Sequence, residues 1–186
     1  MLTTARYLYY KATLIPEKSV VLLGFDDTCK TTILASLTSH LGQPPLSTPS
    51  IPTHGVNLSE IKHSGLSLSV RDVGGSTETL RRNWKYHYDA DIFIFVLNIS
   101  DNLQQECIEN ELKSLVCHCT SNNKTLIICN HTSSLDSSSL LTTELINPFQ
   151  WVEGEVTSSQ ILVFDTDHDG KGIGDLWTAL VLSLKK

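Results

Sequence analysis

The nine residues Gly24–Thr32, GFDDTCKTT, restrict the fold more than any other stretch of this chain. They follow the apolar run Val20–Leu23 and open onto Ile33, Leu34 and Leu37, which recur at helical spacing. A strand, a tight loop and a helix beginning Lys-Thr form a phosphate cradle. Loop amides and the positive end of the helix dipole meet phosphate oxygens, Lys30 reaches the terminal phosphates, and Thr31 offers its hydroxyl to Mg²⁺. Asp26, Asp27, Thr28, Cys29 and Thr32 complete the candidate loop. One residue departs from the pattern. Cys29 stands where a glycine ordinarily precedes the lysine, at a position with φ > 0 that costs a non-glycine residue on the order of 1–2 kcal/mol. A thiol at a helix start is also a candidate redox handle, because that position lowers thiol pKa. A plain substitution is the simpler account.

Around this loop, strand and helix patterns alternate. Apolar residues predict a strand over Ser19–Leu23 and a helix over about Lys30–Leu41. Pro44, Pro45, Pro49 and Pro52 make Gly42–Thr53 an extended loop. Val56–His63 and Leu66–Val73 flank a Ser64-Gly65 turn and predict an antiparallel hairpin. Thr77–Tyr88 carries Leu80, Trp84 and Tyr88 at spacings of four, as a helix or partly ordered segment. Ile92–Ile99 reads as a buried central strand. A helix over about Leu103–Cys119 and a strand over Thr125–Cys129 follow. Then come a serine-rich loop at Ser133–Ser139 and a short helix at Leu140–Ile146 stopped by Pro148. A strand over Ile161–Phe164 and a closing helix through Leu176, Leu180 and Leu184 end the chain. The expected fold is α/β: a mostly parallel six-stranded sheet with helices on both faces and one early hairpin.

Residues 17–186 are expected to form one domain, led by a separate segment over residues 1–16. In that segment Leu2, Ala5, Leu8, Tyr9 and Ala12 share a helical face, and Pro16 ends it. It either docks on its own domain or lies on a membrane surface, and Leu2 excludes N-terminal myristoylation. A net charge of -6 argues against a nucleic-acid partner. No apolar run approaches the roughly 20 residues of a membrane span, and no secretory signal stands out, so the expected location is cytoplasmic. The five cysteines are odd in number and sit mostly in apolar runs, which favours reduced core thiols over a disulfide framework. Cys117-His118-Cys119 lacks a second ligand pair at zinc spacing.

Four segments, in order, resemble the Arf and Arf-like branch of the small GTPases: GFDDTCKTT, then Ile51-Pro52-Thr53-His54-Gly55, then Asp72-Val73-Gly74-Gly75 with Trp84 downstream, then Asn130 ending a strand. The resemblance implies the P-loop NTPase fold of small G-proteins, with GTP or GDP and Mg²⁺ as ligands. It also implies effector and regulator proteins that bind through the switch and interswitch surfaces. By this resemblance Thr53 ligates Mg²⁺ and senses the γ-phosphate with its amide, Asp72 holds the metal through water, and Gly75 offers its amide to the γ-phosphate.

The departures fall on hydrolysis and base recognition. Ser76 stands where the family has the glutamine that orients the attacking water, and a serine is too short to reach it. The base-reading motif becomes Asn130-His131-Thr132-Ser133. Ser133 replaces an aspartate that accepts two hydrogen bonds from guanine, each about 1.5–3 kcal/mol for a charged acceptor. His131 lacks the lysine stem that covers the base plane, and the last base-contacting loop reads Phe164-Asp165-Thr166, with Asp165 where an alanine is common. Asp165 either replaces the missing carboxylate or repels the nucleotide. Asp27 adds a second carboxylate close to the β-phosphate, which weakens retention unless Lys30 and Mg²⁺ outweigh it. Val56 and Arg71 occupy interswitch positions that are often aromatic in the family. The expectation is a nucleotide-dependent switch with weak or absent hydrolysis. The alternatives are a pseudo-GTPase that only binds proteins, and an ATP-binding protein with relaxed base choice.

Overall fold

The computed structural model describes residues 17–44, 53, 55–98, 105–132, 161–167 and 170–184. The leading segment, the 133–139 loop, the 140–146 helix and Ser133 itself lie outside these residues.

Six strands form a single sheet: β1 (Glu17–Gly24), β2 (Val56–His63), β3 (Leu66–Val73), β4 (Ile92–Leu97), β5 (Thr125–Thr132) and β6 (Ile161–Asp167), in the order β2-β3-β1-β4-β5-β6. Among the described strands only the β2–β3 hairpin is antiparallel. Its two-residue turn places Ser64 at φ 51° and Gly65 at φ 77°, the doubly positive geometry that matches strand twist. The α-helices among the described residues are α1 (Lys30–His40), α2 (Glu78–Arg82), α3 (Gln105–Ser121) and α4 (Ile173–Ser183).

The alternation of β4 explains the layering. Phe93, Phe95 and Leu97 enter one core with Ile108, Leu112, Leu115 and Val116 of α3. Ile92, Ile94 and Val96 enter the other with α1 and α4. Each such buried side chain contributes roughly 1.5–3 kcal/mol, so a strand apolar on both faces has its best place in the sheet centre.

Three elements differ from the sequence expectation. β5 and β6 run on past their apolar stretches to Thr132 and Asp167, because ladder pairing continues through Asn130↔Asp165 and Thr132↔Asp167. Thr77–Tyr88, expected as a helix or a partly ordered segment, is a broken helix: α2 is five residues long, and a 3₁₀ turn takes over at Trp84–His87. The break lets Trp84, only 1% exposed, drop into the core edge-on to Phe25 and Phe95.

The cysteine expectation also needs correcting. All five are free, but only Cys119 and Cys129 are buried, whereas Cys107 and Cys117 face solvent. Burial pushes the Cys119 thiol up to about 12, so it is inert at neutral pH. His118 is held structurally, with its ring against Tyr88 and Nε2 3.1 Å from the Tyr88 carbonyl.

Candidate functional site

The sheet brings the motifs to its carboxyl edge, where open α/β sheets hold ligands. Gly24 ends β1 beside Val96 of β4, Leu97 pairs with Asn130, and Asn130 with Asp165. The phosphate loop therefore lies at the end of one strand, and the candidate base-reading residues lie two and three strands away.

The loop closes on itself through its own polar groups. Thr28 donates its hydroxyl to the Phe25 carbonyl at 3.0 Å, and Lys30 Nζ donates to the same oxygen at 2.5 Å. Gly24, at φ 155°, admits no side chain, because a Cβ would lie 2.4 Å from the Val96 carbonyl. Asp27 and Cys29 have φ of 52° and 59°, so the left-handed backbone expected at Cys29 is present. Relief of that strain, about 1–2 kcal/mol, outweighs the extra backbone entropy of glycine, about 0.5–1 kcal/mol. Cys29→Gly is therefore expected to raise stability by about 0.5–1 kcal/mol, read as a higher midpoint in urea. The lowered thiol pKa does not materialise. Burial and the Asp27 carboxylate push Cys29 above its ordinary value, against the pull of Lys30.

Residues 41 apart in sequence meet at the metal side. The Thr31 hydroxyl donates to Asp72 Oδ2 at 2.6 Å. Asp72 is fully buried, and its Oδ1 has no partner among the described residues. A buried carboxylate oxygen without a donor is costly in an apolar setting and is satisfied by a cation. Thr53 is close by: its carbonyl lies 2.1 Å from where a Gly74 Cβ would stand, and its hydroxyl accepts from Asn57 Nδ2 at 3.4 Å. Thr31 and Asp72 thus fit a Mg²⁺ ion as oxygen donors, and the Thr53 carbonyl stands at Gly74, next but one to Asp72 in sequence. Burial pushes the Lys30 ammonium below its ordinary value, although Asp72 and Asp26 pull it back up.

Gly75 packs against the start of the loop, and Gly74 against the segment of Thr53 and Gly55. Gly74 N–H donates to the Gly55 carbonyl at 2.9 Å, and a Cβ on Gly75 would stand 2.0 Å from the Gly24 carbonyl. The next residue, Ser76, turns its hydroxyl out of solvent, and that oxygen has no partner among the described residues.

On the base side, β5 carries Asn130, His131 and Thr132, and β6 carries Asp165 opposite Asn130. Thr166 is 2% exposed, and its hydroxyl lies 3.4 Å from the Cys129 sulfur within the sheet. Its backbone lies in the β5–β6 ladder, opposite His131. Thr32 is half-buried one residue beyond Thr31.

Arg81 was not found by sequence reasoning. It donates to the Gly75 carbonyl at 3.0 Å and lies 4.6 Å above the Phe25 ring. An arginine in a short helix just after a double glycine was the sole signal available.

The ADP-ribosylation factor family model matches residues 8–181. ADP-ribosylation factor-like protein 2 of Drosophila melanogaster is 34% identical over 101 residues, covering 54% of this chain and 52% of that protein. The match thus spans about half the length of that relative. The Arl6 BBS3 small GTPase of Trypanosoma brucei, solved with the nucleotide analogue GppNp, superposes with a TM-score of 0.73 at 19% identity. That superposition covers 91% of this chain and 99% of that one, a likeness of fold.

Proposed function

The chain belongs to the ADP-ribosylation factor family of small GTPases, and from that premise we propose a guanine-nucleotide switch with weak or absent intrinsic hydrolysis. The observation that carries this reading is the Thr31–Asp72 contact beside a buried carboxylate oxygen that has no partner among the described residues. A chain that had given up phosphate and metal would have little chemical need for that oxygen. In this reading Lys30 meets the β- and γ-phosphates, and Thr31, Thr53 and Asp72 hold Mg²⁺, which when bound neutralises phosphate charge. Gly75 offers its amide to the γ-phosphate, so loss of that group releases the Thr53 and Gly75 segments.

The hydrolytic side is the eroded one. Ser76 has neither the length of glutamine nor a solvent-facing hydroxyl. The interswitch surface differs in the same spirit. Val56 and Leu58 are exposed on β2, and Arg71 is tied to Asp89 at 2.8 Å. A partner that docks there meets aliphatic groups and an ion pair in place of an aromatic cluster.

Isothermal titration of the full chain with GDP, GppNp and ATP in Mg²⁺ tests the reading. Binding of both guanine nucleotides in preference to ATP is expected. Heat from none of them at high micromolar protein would promote the pseudo-GTPase alternative, and a preference for ATP would promote the relaxed-base one. In single-turnover assays Ser76→Gln is expected to raise hydrolysis by roughly tenfold or more. An unchanged rate would mean that the rest of the site cannot support the reaction.

A further inference from the structure

Two side-chain contacts beside the phosphate loop have no part in the scheme above. Trp84 Nε1 donates to the Gly74 carbonyl at 3.0 Å, and Arg81 Nη1 donates to the Gly75 carbonyl at 3.0 Å. These are successive carbonyls. In a trans peptide the N–H lies opposite the C=O, and no described peptide here is cis. Fixing the Gly74 carbonyl therefore fixes the direction of the Gly75 N–H. Fixing the Gly75 carbonyl does the same for the Ser76 N–H.

Both donors are themselves anchored on the loop. Trp84 packs edge-on to Phe25 with ring centroids 5.9 Å apart, and Arg81 covers the Phe25 ring at 4.6 Å. Phe25 directly follows Gly24, whose carbonyl closes against Gly75. The indole belongs to the core, so the Gly74 carbonyl faces inward and the Gly75 N–H faces away from the core. Two adjacent glycines have wide backbone freedom. Without outside anchors, their peptides would spread over many orientations, of which few could donate to a phosphate.

We propose that Trp84 and Arg81 are positioning residues for γ-phosphate recognition, holding two successive peptides with their N–H groups set to receive the terminal phosphate of a nucleoside triphosphate. The inference rests on the switch reading above. Its energetic consequence is selective. Apparent affinity scales with the fraction of chains already in the competent conformation, and only a triphosphate uses that conformation.

The test compares GDP and GppNp affinities, by titration calorimetry in Mg²⁺, for the unmodified chain, Trp84→Phe, Arg81→Met and Arg81→Lys. Trp84→Phe and Arg81→Met should each weaken GppNp about tenfold while GDP stays within about twofold. Arg81→Lys, which keeps one donor, should recover part of the loss. Arg81 is half-buried on a short helix, so its variants remain informative if Trp84→Phe unfolds. Equal losses for both nucleotides, or an unchanged ratio, overturn the positioning role and leave the switch reading intact. An unmodified chain that binds neither nucleotide overturns both.

Discussion

Lys30→Met is expected to abolish measurable nucleotide binding while leaving the unliganded protein at least as stable as before. The two effects have opposite signs for one reason. The ammonium sits buried over its own loop, bonded to the Phe25 carbonyl, and burial holds its pKa below the ordinary 10.5 despite the attraction of Asp72 and Asp26. A lowered lysine pKa means that the charged form fits the folded state less well than the unfolded one. That cost is fully present below the folded-state value and disappears as pH rises through 10.5. Methionine has similar bulk and no charge, so it removes the cost at neutral pH. What it cannot do is meet phosphate. Two charge-assisted hydrogen bonds at about 1.5–3 kcal/mol each imply a loss of at least about a hundredfold in affinity. Thermal melting without nucleotide, followed by titration with GDP, checks both halves. A melting point that falls sharply would show that Lys30 is needed for the fold, contrary to this account.

The second large effect is steric. A Cβ on Gly75 would lie 2.0 Å from the Gly24 carbonyl and 3.0 Å from both the Gly24 carbonyl carbon and Trp84 Cζ2. Two of those atoms are backbone, and the third belongs to a tryptophan that is 1% exposed, so none can yield cheaply. Gly75→Ala must either push the segment off the loop or accept overpacking of about 1–3 kcal/mol. For a domain of this size that lowers the melting point by roughly 3–10 °C. It should also remove any preference for triphosphate over diphosphate. Gly174→Ala is the matched control. Among the described residues its new methyl would meet only His40 at 3.6–3.7 Å, near the start of α4, where alanine is the better helix former. A small rise in melting point is expected there. A Gly75→Ala protein as stable as the parent, with its triphosphate preference intact, would count against the packed arrangement.

Much of the fold was legible from periodicity and turn chemistry. The hairpin fell at its expected residues because Ser64-Gly65 accepts two positive φ values. The central strands were legible because β4 is apolar on both faces. The ends of β5 and β6 were not, since backbone pairing carried them three residues beyond the side chains that marked them. The 3₁₀ turn escaped because the spacing of Leu80, Trp84 and Tyr88 cannot tell a continuous helix from one that breaks to bury an indole. Cys117 and Cys119 looked alike in sequence. Two residues along a helix turn the chain by about 200°, which puts one thiol in water and the other in the core.

The sequence by itself determined the local parts: the strand–loop–helix at Gly24–Thr32, its Lys30 and Thr31, the double glycine after Asp72, and the short Ser76. Each depends on neighbours within a few residues, so order and residue type suffice. Only the tertiary structure decided what those parts do to one another. Parallel pairing of β1 with β3 brings Thr31 to Asp72 and leaves one carboxylate oxygen open. The packing of Gly75 on Gly24, the anchoring of its peptides by Trp84 and Arg81, and the raised pKa of Cys29 follow from the same assembly. Burial and long-range contact set those properties, and neither is written in the spacing of residues along the chain.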